Sequence, residues 1–259
     1  MDLGIGGRIA LVCASSRGLG KACALALAQE GCEVLINGRD AESLEHTAQD
    51  ILRSTGRLPR TVVADLSTAA GRQALLAACP VMDILVTNNG GPEPGRPEDW
   101  DHAAWLAAIE ANMLSGILLI QAVVVGMRAR GFGRIVNITS AMVKSPRLPL
   151  GLSTAARAGL TAFCKALSVE VVRDNVTINN LLPERIETDR LRFMTEQLAE
   201  LRQLSFEQAR VEMLKPIAAR RFGQPSELAA ACAFLCSAQA GYITGQNLQI
   251  DGGSYAGLI

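Results

Sequence analysis

Seven short runs of apolar, β-rich residues recur along the chain, and they constrain its fold more than any other feature. The runs are continuous rather than alternating, which is typical of strands that are covered on both faces. Segments of helical periodicity, such as 20–29 and 41–53, separate most of the runs. The pattern predicts a single α/β domain over residues 1–259, built on a doubly wound parallel sheet of seven strands. The predicted strands span 8–14, 33–37, 61–65, 83–87, 134–139, 176–182 and 247–251.

Local signals predict where several helices begin and end. Gly31 stands where the first helix should stop, and Asp40 can cap the start of the second. Ser205 and Gln208 have the spacing of a capping box. The longest apolar stretch, 117–127, is predicted to be a buried helix rather than a membrane span, because a glutamine and a glycine interrupt it.

The balance of charge argues against two classes of partner. The chain has 25 basic and 25 acidic residues, so it has no overall field to hold nucleic acid or an anionic membrane surface. We therefore expect a small-molecule substrate, with neither nucleic acid nor a membrane as partner. The seven cysteines are irregularly spaced and favour a reducing cytoplasm over a disulfide framework. No metal is expected, and Cys232 and Cys236 are interpreted as buried small apolar side chains.

The first predicted strand leads directly into a turn and then a helix, which is where a phosphate-binding turn belongs in a Rossmann-type fold. Backbone N–H groups of this turn can meet a pyrophosphate. A tight turn that binds no ligand is the alternative, because two glycines alone are a weak signal. The candidate cofactor-binding residues here are Ser15, Ser16, Arg17, Gly18, Leu19 and Gly20.

Further motifs give the chain a resemblance to the short-chain dehydrogenase/reductase family, from Arg8 to Gly253. Residues 83–90 resemble the motif Asp-x-x-Val-Asn-Asn-Ala-Gly, with Thr87 in place of its first Asn. Residues 183–188 are similar to Pro-Gly-x-Ile-x-Thr, with Glu184 in place of Gly. Segments 242–246 and 251–253 match the C-terminal strand region, and the most similar branch is that of 3-oxoacyl-carrier-protein reductases. The resemblance adds these candidate cofactor-binding residues: Asp65, Leu66, Asn88, Gly90, Ile186 and Thr188.

Charge at the end of the second strand favours NADP as the cofactor, with NADPH bound more tightly than NADH. A site that selects NAD places an acid there for the ribose hydroxyl, whereas NADP requires cations. Here the strand ends in Asn37-Gly38-Arg39, and Arg17 lies in the phosphate turn. Arg17 and Arg39 could flank a 2′-phosphate. The alternative is that both are ordinary solvated charges.

The family resemblance also locates four candidate catalytic positions. Asn112 matches the Asn that orders a proton-relay water, and Ser140 matches the Ser that hydrogen-bonds the substrate carbonyl. Thirteen residues after Ser140, the position of the family's Tyr is occupied by Ser153, and four residues further the position of its Lys is occupied by Arg157. A serine hydroxyl is a far weaker acid than a phenol, and arginine holds its proton too tightly to relay it. General acid catalysis contributes about 10²–10⁴-fold, so we expect a slow reductase rather than a dead one.

Two other residues are candidates for a replacement acid. Lys144 follows Ser140 by four residues, and burial can tune a lysine toward neutrality. An exposed loop lysine is the alternative. Tyr255, near the C-terminus, could reach a site across a subunit interface. Residues 189–221 occupy the position of the family's helical substrate lid, with a stripe of apolar side chains formed by Leu191, Met194, Leu198, Leu201 and Leu204.

Two functions from different classes follow from these patterns. The first is an NADP-dependent oxidoreductase with an atypical active site that reduces a carbonyl, such as a 3-oxoacyl group, or a conjugated enone. The second is a catalytically inactive NADP-binding protein that serves as a regulatory or structural subunit. In either case the resemblance implies a homotetramer, and Leu160, Phe163 and Leu167 form an apolar helix face that could pair subunits.

Overall fold

The fold is built around one β-sheet, and the seven strands of this sheet all run parallel. The computed structural model describes residues 2–258. The strands are β1 (Ile9–Val12), β2 (Glu33–Gly38), β3 (Arg60–Val63), β4 (Ile84–Thr87), β5 (Gly133–Ile138), β6 (Val176–Pro183) and β7 (Asn247–Ile250). Their spatial order is β3-β2-β1-β4-β5-β6-β7. All seven predicted strands form, and each end lies within two residues of its predicted place. The doubly wound parallel sheet is therefore confirmed.

Helices cover both faces of this sheet. They are α1 (Gly18–Gln29), α2 (Ala41–Thr55), α3 (Ala69–Ala78), α4 (His102–Ile109), α5 (Ser115–Arg130), α6 (Gly151–Val171), α7 (Asp189–Arg202), α8 (Phe206–Leu214) and α9 (Pro225–Cys236). Helices α1, α2 and α9 share one apolar core with the sheet, and α3, α5 and α6 share a second core with its other face. Burial of these two faces is the main stabilising term, because every central strand contributes side chains to both.

The edge strands depart from the expectation that every strand is covered on both faces. The central strands β4 and β5 are fully buried, whereas β3 exposes Thr61 and Val63. Strand β3 lies at the edge of the sheet, where only one neighbour is available to cover it. The continuous apolar run therefore predicts strand β3 correctly, but β3 is less buried than such a run indicates.

The predicted helix ends are confirmed. Gly31 has φ 83°, a left-handed conformation that a glycine adopts without the steric cost of a β-carbon, directly after α1. The Asp40 carboxylate accepts a hydrogen bond of 2.8 Å from Ser43 N at the start of α2. Ser205 and Gln208 exchange reciprocal hydrogen bonds before α8. Each of these ends depends on neighbouring residues only, which is why the sequence was sufficient.

Helices α4 and α5 are joined by a π-helical turn, Glu110–Leu114. Together they form a segment of 29 residues, His102–Arg130, which is long and apolar enough to cross a membrane by length and composition. Half of its most apolar window is buried within the fold. Ile120 and Met127 are fully buried against the sheet, as expected of a core helix.

The face of α6 that we expected to pair subunits instead packs inside its own subunit. Leu160 is buried, and Phe163 and Leu167 pack against the second core. The apolar stripe of an amphipathic helix faces the largest nearby apolar surface, and here that surface is the sheet. The solvent side of α5 and α6 carries other apolar residues, Val125 and Val169, which are 70% and 69% exposed.

The predicted lid forms, with α7 and α8 connected by residues 203–205. Its small core contains Leu191, Met213, Ile217 and Phe222, and Met194 and Leu198 pack against it. The predicted stripe fails at Leu201, which is 82% exposed. Leu201 lies in the last turn of α7, beyond the reach of this core.

Candidate active site

The turn after β1 is held by a buried asparagine from the neighbouring strand. Ala14 N donates to Asn37 Oδ1 at 3.3 Å, and Asn37 Nδ2 donates to the carbonyls of Val62 and Ala64. Ser15 Oγ accepts from Asn37 N at 2.9 Å and donates to Val12 O at 2.7 Å. Asn37 therefore links β1, β2 and β3 at the carboxyl edge of the sheet. The sequence does not predict this linking role of Asn37. The one signal for it is that a polar residue stands in an otherwise apolar run.

Close approach of backbone shapes the same turn. A β-carbon on Gly20 would clash with the carbonyl oxygen of Ala14, so only glycine allows α1 to start this near to the turn. Ala14 has φ 45°, a left-handed conformation that costs a non-glycine residue about 1–2 kcal/mol. Helix α1 begins without a side-chain cap and without an acidic residue in its first turn. Its first N–H groups thus remain available to an anion.

The two arginines beside this turn are exposed. Within residues 2–258, neither Arg17 nor Arg39 has an ion-pair partner within 4.0 Å. Asp40 follows Arg39 and caps α2. Hydrogen bonds from Ser43 lower the pKa of the Asp40 carboxyl, and the charge of Arg17 lowers it further. The edge of the turn therefore carries two free cations beside one carboxylate that is engaged in capping.

Other predicted cofactor-binding residues meet at this edge. Asn88 Nδ2 donates to Ala14 O at 3.2 Å. The position of a β-carbon on Gly18 lies 3.8 Å from Thr188 Cγ2, so the segment after β6 reaches the phosphate turn. Asp65 Oδ1 accepts from Ser67 N at 2.9 Å, which is a local turn, and its predicted contact with the cofactor stays a prediction. Leu66 and Ile186 are buried, and Gly90 is exposed.

Arg157 occupies the centre of the candidate catalytic site. It lies one helical turn after Ser153 in α6, and its Nε donates to Ser153 Oγ at 3.0 Å. Nη1 donates to the carbonyls of Ile138 and Thr139, both at 3.1 Å, and Nη2 donates to Asn89 O at 3.3 Å. The guanidinium thus ties the ends of β4 and β5 to α6. One of its acceptors, Thr139, directly precedes Ser140 in the chain.

No carboxylate neutralises this guanidinium among the residues that the structure describes. Burial, and to a smaller extent the nearby charge of Arg190, lower the pKa of Arg157 to about 10. Arg157 therefore remains a cation at neutral pH in a site of low dielectric. Such a charge favours any negative charge that develops beside it.

Asn112 lies in the π-helical turn and faces the same site. Its Nδ2 donates to Gly90 O at 2.8 Å, whereas its Oδ1 is buried without a hydrogen-bond partner in residues 2–258. Asn89 Nδ2 donates to Ala111 O at 3.0 Å and covers the carbonyl next to Asn112. Sequence reasoning did not single out Asn89, although it stands where the family motif has Ala.

The loop after β5 carries the remaining candidates. Ser140 Oγ accepts from Met142 N at 3.2 Å and caps a short 3₁₀ turn. Lys144 follows this turn, is half-buried, and places its Nζ 5.4 Å from the centroid of the Tyr255 ring. Tyr255 therefore lies beside this loop within its own chain, whereas the sequence predicts only an approach across a subunit interface.

An ion pair that the sequence did not predict joins two walls of the site. Arg147 Nη2 lies 2.9 Å from Glu184 Oε1, and Arg185 Nε lies 3.8 Å from the same oxygen. Glu184 stands where the motif in the sequence analysis predicts Gly, and its carboxylate pairs with Arg147, which lies in the loop before α6. The pair joins the end of β6 to that loop.

Two cavities lie at this edge of the sheet. The smaller has about 20 Å³ of space for the centre of a water molecule, and its lining includes Asn112, Ser115 and Arg157. The larger has about 260 Å³ and lies between the lid and the end of β7, lined in part by Glu184, Ile217 and Gln249. Across residues 2–258, no group of three or more His, Cys, Asp or Glu side chains is placed to hold a metal ion.

Comparisons with known proteins agree with this architecture. The model of the family described as "Enoyl-(Acyl carrier protein) reductase" matches residues 13–255. The chain is 32% identical to the NADPH-dependent reductase BacG of Bacillus subtilis, over 95% of this chain and 97% of that protein. It is 34% identical to the 3-oxoacyl-[acyl-carrier-protein] reductase FabG of Vibrio cholerae, over 96% of this chain and 98% of that protein.

A solved structure shows the same relationship. The L-sorbose reductase of Gluconobacter frateurii, complexed with NADPH and L-sorbose, superimposes with a TM-score of 0.93 at 28% identity, over 100% of both chains. Strand order, the glycine-containing turn before α1 and the motifs after β4 and β6 are all present in the expected places. On these grounds the chain belongs to the short-chain dehydrogenase/reductase family.

Proposed function

We propose that this protein is an NADPH-dependent reductase of a carbonyl, such as a 3-oxoacyl group, or of a conjugated enone, and that its active site is atypical. The observation that carries the proposal is the guanidinium of Arg157, which is buried, has no carboxylate partner among the described residues, and donates hydrogen bonds to Ser153 and to the carbonyl of Thr139, the residue before Ser140. Reduction of either substrate class places negative charge on an oxygen. A fixed cation in a site of low dielectric stabilises that charge.

The residues of the phosphate turn fit a dinucleotide. The close approach at Gly20 and the uncapped start of α1 leave backbone N–H groups free for a pyrophosphate. Arg17 and Arg39 would hold a 2′-phosphate, and Asn88, Ile186 and Thr188 would line the rest of the cofactor. When bound, NADPH supplies a hydride. A relative that is named as NADPH-dependent and a similar structure that was solved with NADPH support this choice of cofactor.

The chain's own residues would handle the substrate oxygen. Ser140 would donate a hydrogen bond to the carbonyl, while Arg157 would stabilise the oxyanion through space and through Ser153. Arg157 would not relay protons, since its pKa of about 10 keeps it charged at neutral pH. Lys144 remains an alternative proton donor, supported by its half-buried position four residues after Ser140.

A catalytically inactive, cofactor-binding subunit is the second candidate function. The observation in its favour is that Arg157 Nε donates a hydrogen bond to Ser153 Oγ, because the family resemblance predicts a Tyr and a Lys at these two positions. For either function we propose a cytoplasmic homotetramer, supported by the exposed apolar residues on α5 and α6.

Turnover assays separate these two functions. Purified protein would be titrated with NADPH by fluorescence and then followed for NADPH oxidation with simple ketones, a 3-oxoacyl thioester and conjugated enones. We expect binding and slow reduction, and we expect Ser153→Tyr with Arg157→Lys to raise ketone reduction because it restores a phenol of tunable pKa. Arg202→Lys, at the exposed end of α7, is the matched control. Binding without oxidation of NADPH on any substrate would favour the inactive subunit.

A further inference from the structure

Three side-chain atoms of the active site converge on one point beside Gly91. A β-carbon built on Gly91 would lie 3.4 Å from Ser153 Oγ, 3.5 Å from Arg157 Nη2 and 3.7 Å from Asn112 Oδ1. These are ordinary van der Waals distances, and apart from Gly91 and its two chain neighbours these three atoms are the nearest protein atoms to that point. The absence of a side chain on Gly91 therefore leaves a small space that three polar atoms border.

Each of these three atoms has unused hydrogen-bonding capacity. Arg157 donates its Nε hydrogen, its Nη1 hydrogens and one Nη2 hydrogen to protein acceptors. One Nη2 hydrogen is left to donate to another acceptor. The Ser153 hydroxyl accepts from Arg157, and its own hydrogen has no protein acceptor in residues 2–258. Asn112 Oδ1 is an acceptor without a partner in the same range.

The orientation of the Asn112 amide follows from its other hydrogen bond. Nδ2 must be the atom that faces Gly90 O, because two oxygens would repel at 2.8 Å. Oδ1 is thereby turned toward Ser153 and Arg157. Asn112 is only 5% exposed, and a buried acceptor of this kind normally binds an ordered water when no protein donor reaches it.

The set is complementary to one water molecule. A water can accept hydrogen bonds from Arg157 Nη2 and Ser153 Oγ and donate one to Asn112 Oδ1, which leaves its second O–H bond free.

We propose that Asn112, Ser153 and Arg157 bind a water molecule beside Gly91, and that the free O–H of this water, in place of a phenol, protonates the oxygen of the reduced carbonyl. This inference rests on the proposed reductase function. When a hydride adds to the carbonyl carbon, the π electrons of the C=O bond move to the oxygen. That alkoxide forms an O–H bond with a proton of the water, and the broken O–H bond leaves its electron pair on a hydroxide.

Arg157 makes water an effective donor here. Water alone is a poor acid, but the hydroxide that it leaves lies beside a permanent, unneutralised cation. Solvent then returns a proton to the hydroxide and restores the water. The serine at position 153 is essential to the geometry, because it is short enough to leave room for the water and still anchors it.

The water can be observed directly. A crystal structure of the protein with NADPH, at a resolution that shows ordered solvent, should have a water within about 2.7–3.2 Å of Asn112 Oδ1, Ser153 Oγ and Arg157 Nη2. An empty space, or a protein atom in it, would overturn the proposal. This measurement does not depend on turnover, so it stands even if no substrate is found.

Gly91→Ala tests the role of the water in catalysis. The added methyl group makes only ordinary contacts, so the fold and NADPH affinity should be retained, but it fills the space of the water. We expect the kcat for carbonyl reduction to fall about 10²–10⁴-fold, with the NADPH dissociation constant within about twofold of the wild-type value. Gly6→Ala, whose new β-carbon would have its nearest neighbour at 3.9 Å and which lies far along the chain from the site, is the matched control.

Two outcomes of the kinetic experiment contradict the proposal. The first is a folded Gly91→Ala variant with the wild-type kcat. The second is a loss of about 10²-fold in Lys144→Ala without a comparable loss in Gly91→Ala, which would assign the proton to Lys144. A wild-type protein that binds NADPH and reduces no ketone or enone would instead refute the proposed function, and the crystallographic arm would still decide whether the water is bound.

Discussion

At the scale of single residues, charge beside the phosphate turn decides which dinucleotide the site can favour. Arg17 and Arg39 are exposed and lack ion-pair partners within the described part of the chain, while Asp40 is occupied in capping α2. A 2′-phosphate would give both arginines a partner, whereas a ribose hydroxyl would not. The same site without these cations would have little reason to prefer the phosphorylated cofactor.

We expect Arg17→Ala combined with Arg39→Ala to weaken NADPH binding and to leave NADH binding nearly unchanged. Charge-assisted contacts to a phosphate contribute about 1–3 kcal/mol, so the dissociation constant for NADPH should rise about 5- to 150-fold. Calorimetric titration with both cofactors measures this, and Arg202→Ala serves as the control. Equal affinity of the wild-type protein for NADPH and NADH would contradict the prediction.

At the scale of single elements, the start of α9 is held by Glu227. Its carboxylate accepts from Gln224 N at 2.7 Å and binds Arg221 through both oxygens. The side-chain hydrogen bonds from Arg221, and then the backbone hydrogen bond from Gln224, lower the pKa of Glu227 to about 2 from its usual 4.5. This end of α9 also borders the larger cavity, which lies between the lid and the end of β7. Glu227 therefore caps α9 and also helps to hold residues 219–223 at the wall of that cavity.

The lowered pKa predicts a loss of stability in acid. Because the folded-state pKa of Glu227 lies below the unfolded value, its contribution is fully present above about pH 4.5 and is lost as the pH falls toward about 2. Glu227→Gln should lower the melting temperature at pH 6 and flatten its decline between pH 4.5 and 2. Glu200→Gln, on the exposed side of α7, should do neither. Thermal melts of the three proteins across this range make the comparison, and parallel curves would contradict it.

At the scale of the whole molecule, the solvent-facing sides of α5 and α6 form one surface. Arg128 Nη1 lies 3.3 Å from Glu170 Oε1, which places the two helices side by side there. Val125, three residues before Arg128 in α5, and Val169, directly before Glu170 in α6, are both about 70% exposed. Exposed β-branched side chains on adjacent helices favour burial against a second copy of the same surface, as in a two-fold interface.

We expect the wild-type protein to be a homotetramer, and Val125→Glu with Val169→Glu to break it into smaller species because four carboxylates would be brought together at each two-fold interface. Light scattering after size-exclusion chromatography reports the mass, and circular dichroism checks that the subunit stays folded. Val211→Glu, at an exposed position on α8, should leave the tetramer intact. A monomeric wild-type protein at micromolar concentration would refute the prediction.

Sequence alone determined the features that depend on near neighbours in the chain. The strands followed from continuous apolar runs, and Gly31, Asp40 and Ser205 were read correctly as helix ends because their partners lie within a few residues. The spacing of Asn112, Ser140, Ser153 and Arg157 also located the candidate site, because a shared fold keeps motif positions constant.

Tertiary structure alone decided what those residues contact. Arg157 binds carbonyls 18, 19 and 68 residues away, and Asn37 joins strands whose contacts are 22 to 27 residues distant. The α6 face around Leu160 was misassigned for the same reason: an amphipathic pattern shows that a face will be buried but not which surface will bury it. The space beside Gly91 was equally hidden, because it is formed by atoms of three separate segments that only the folded sheet brings together.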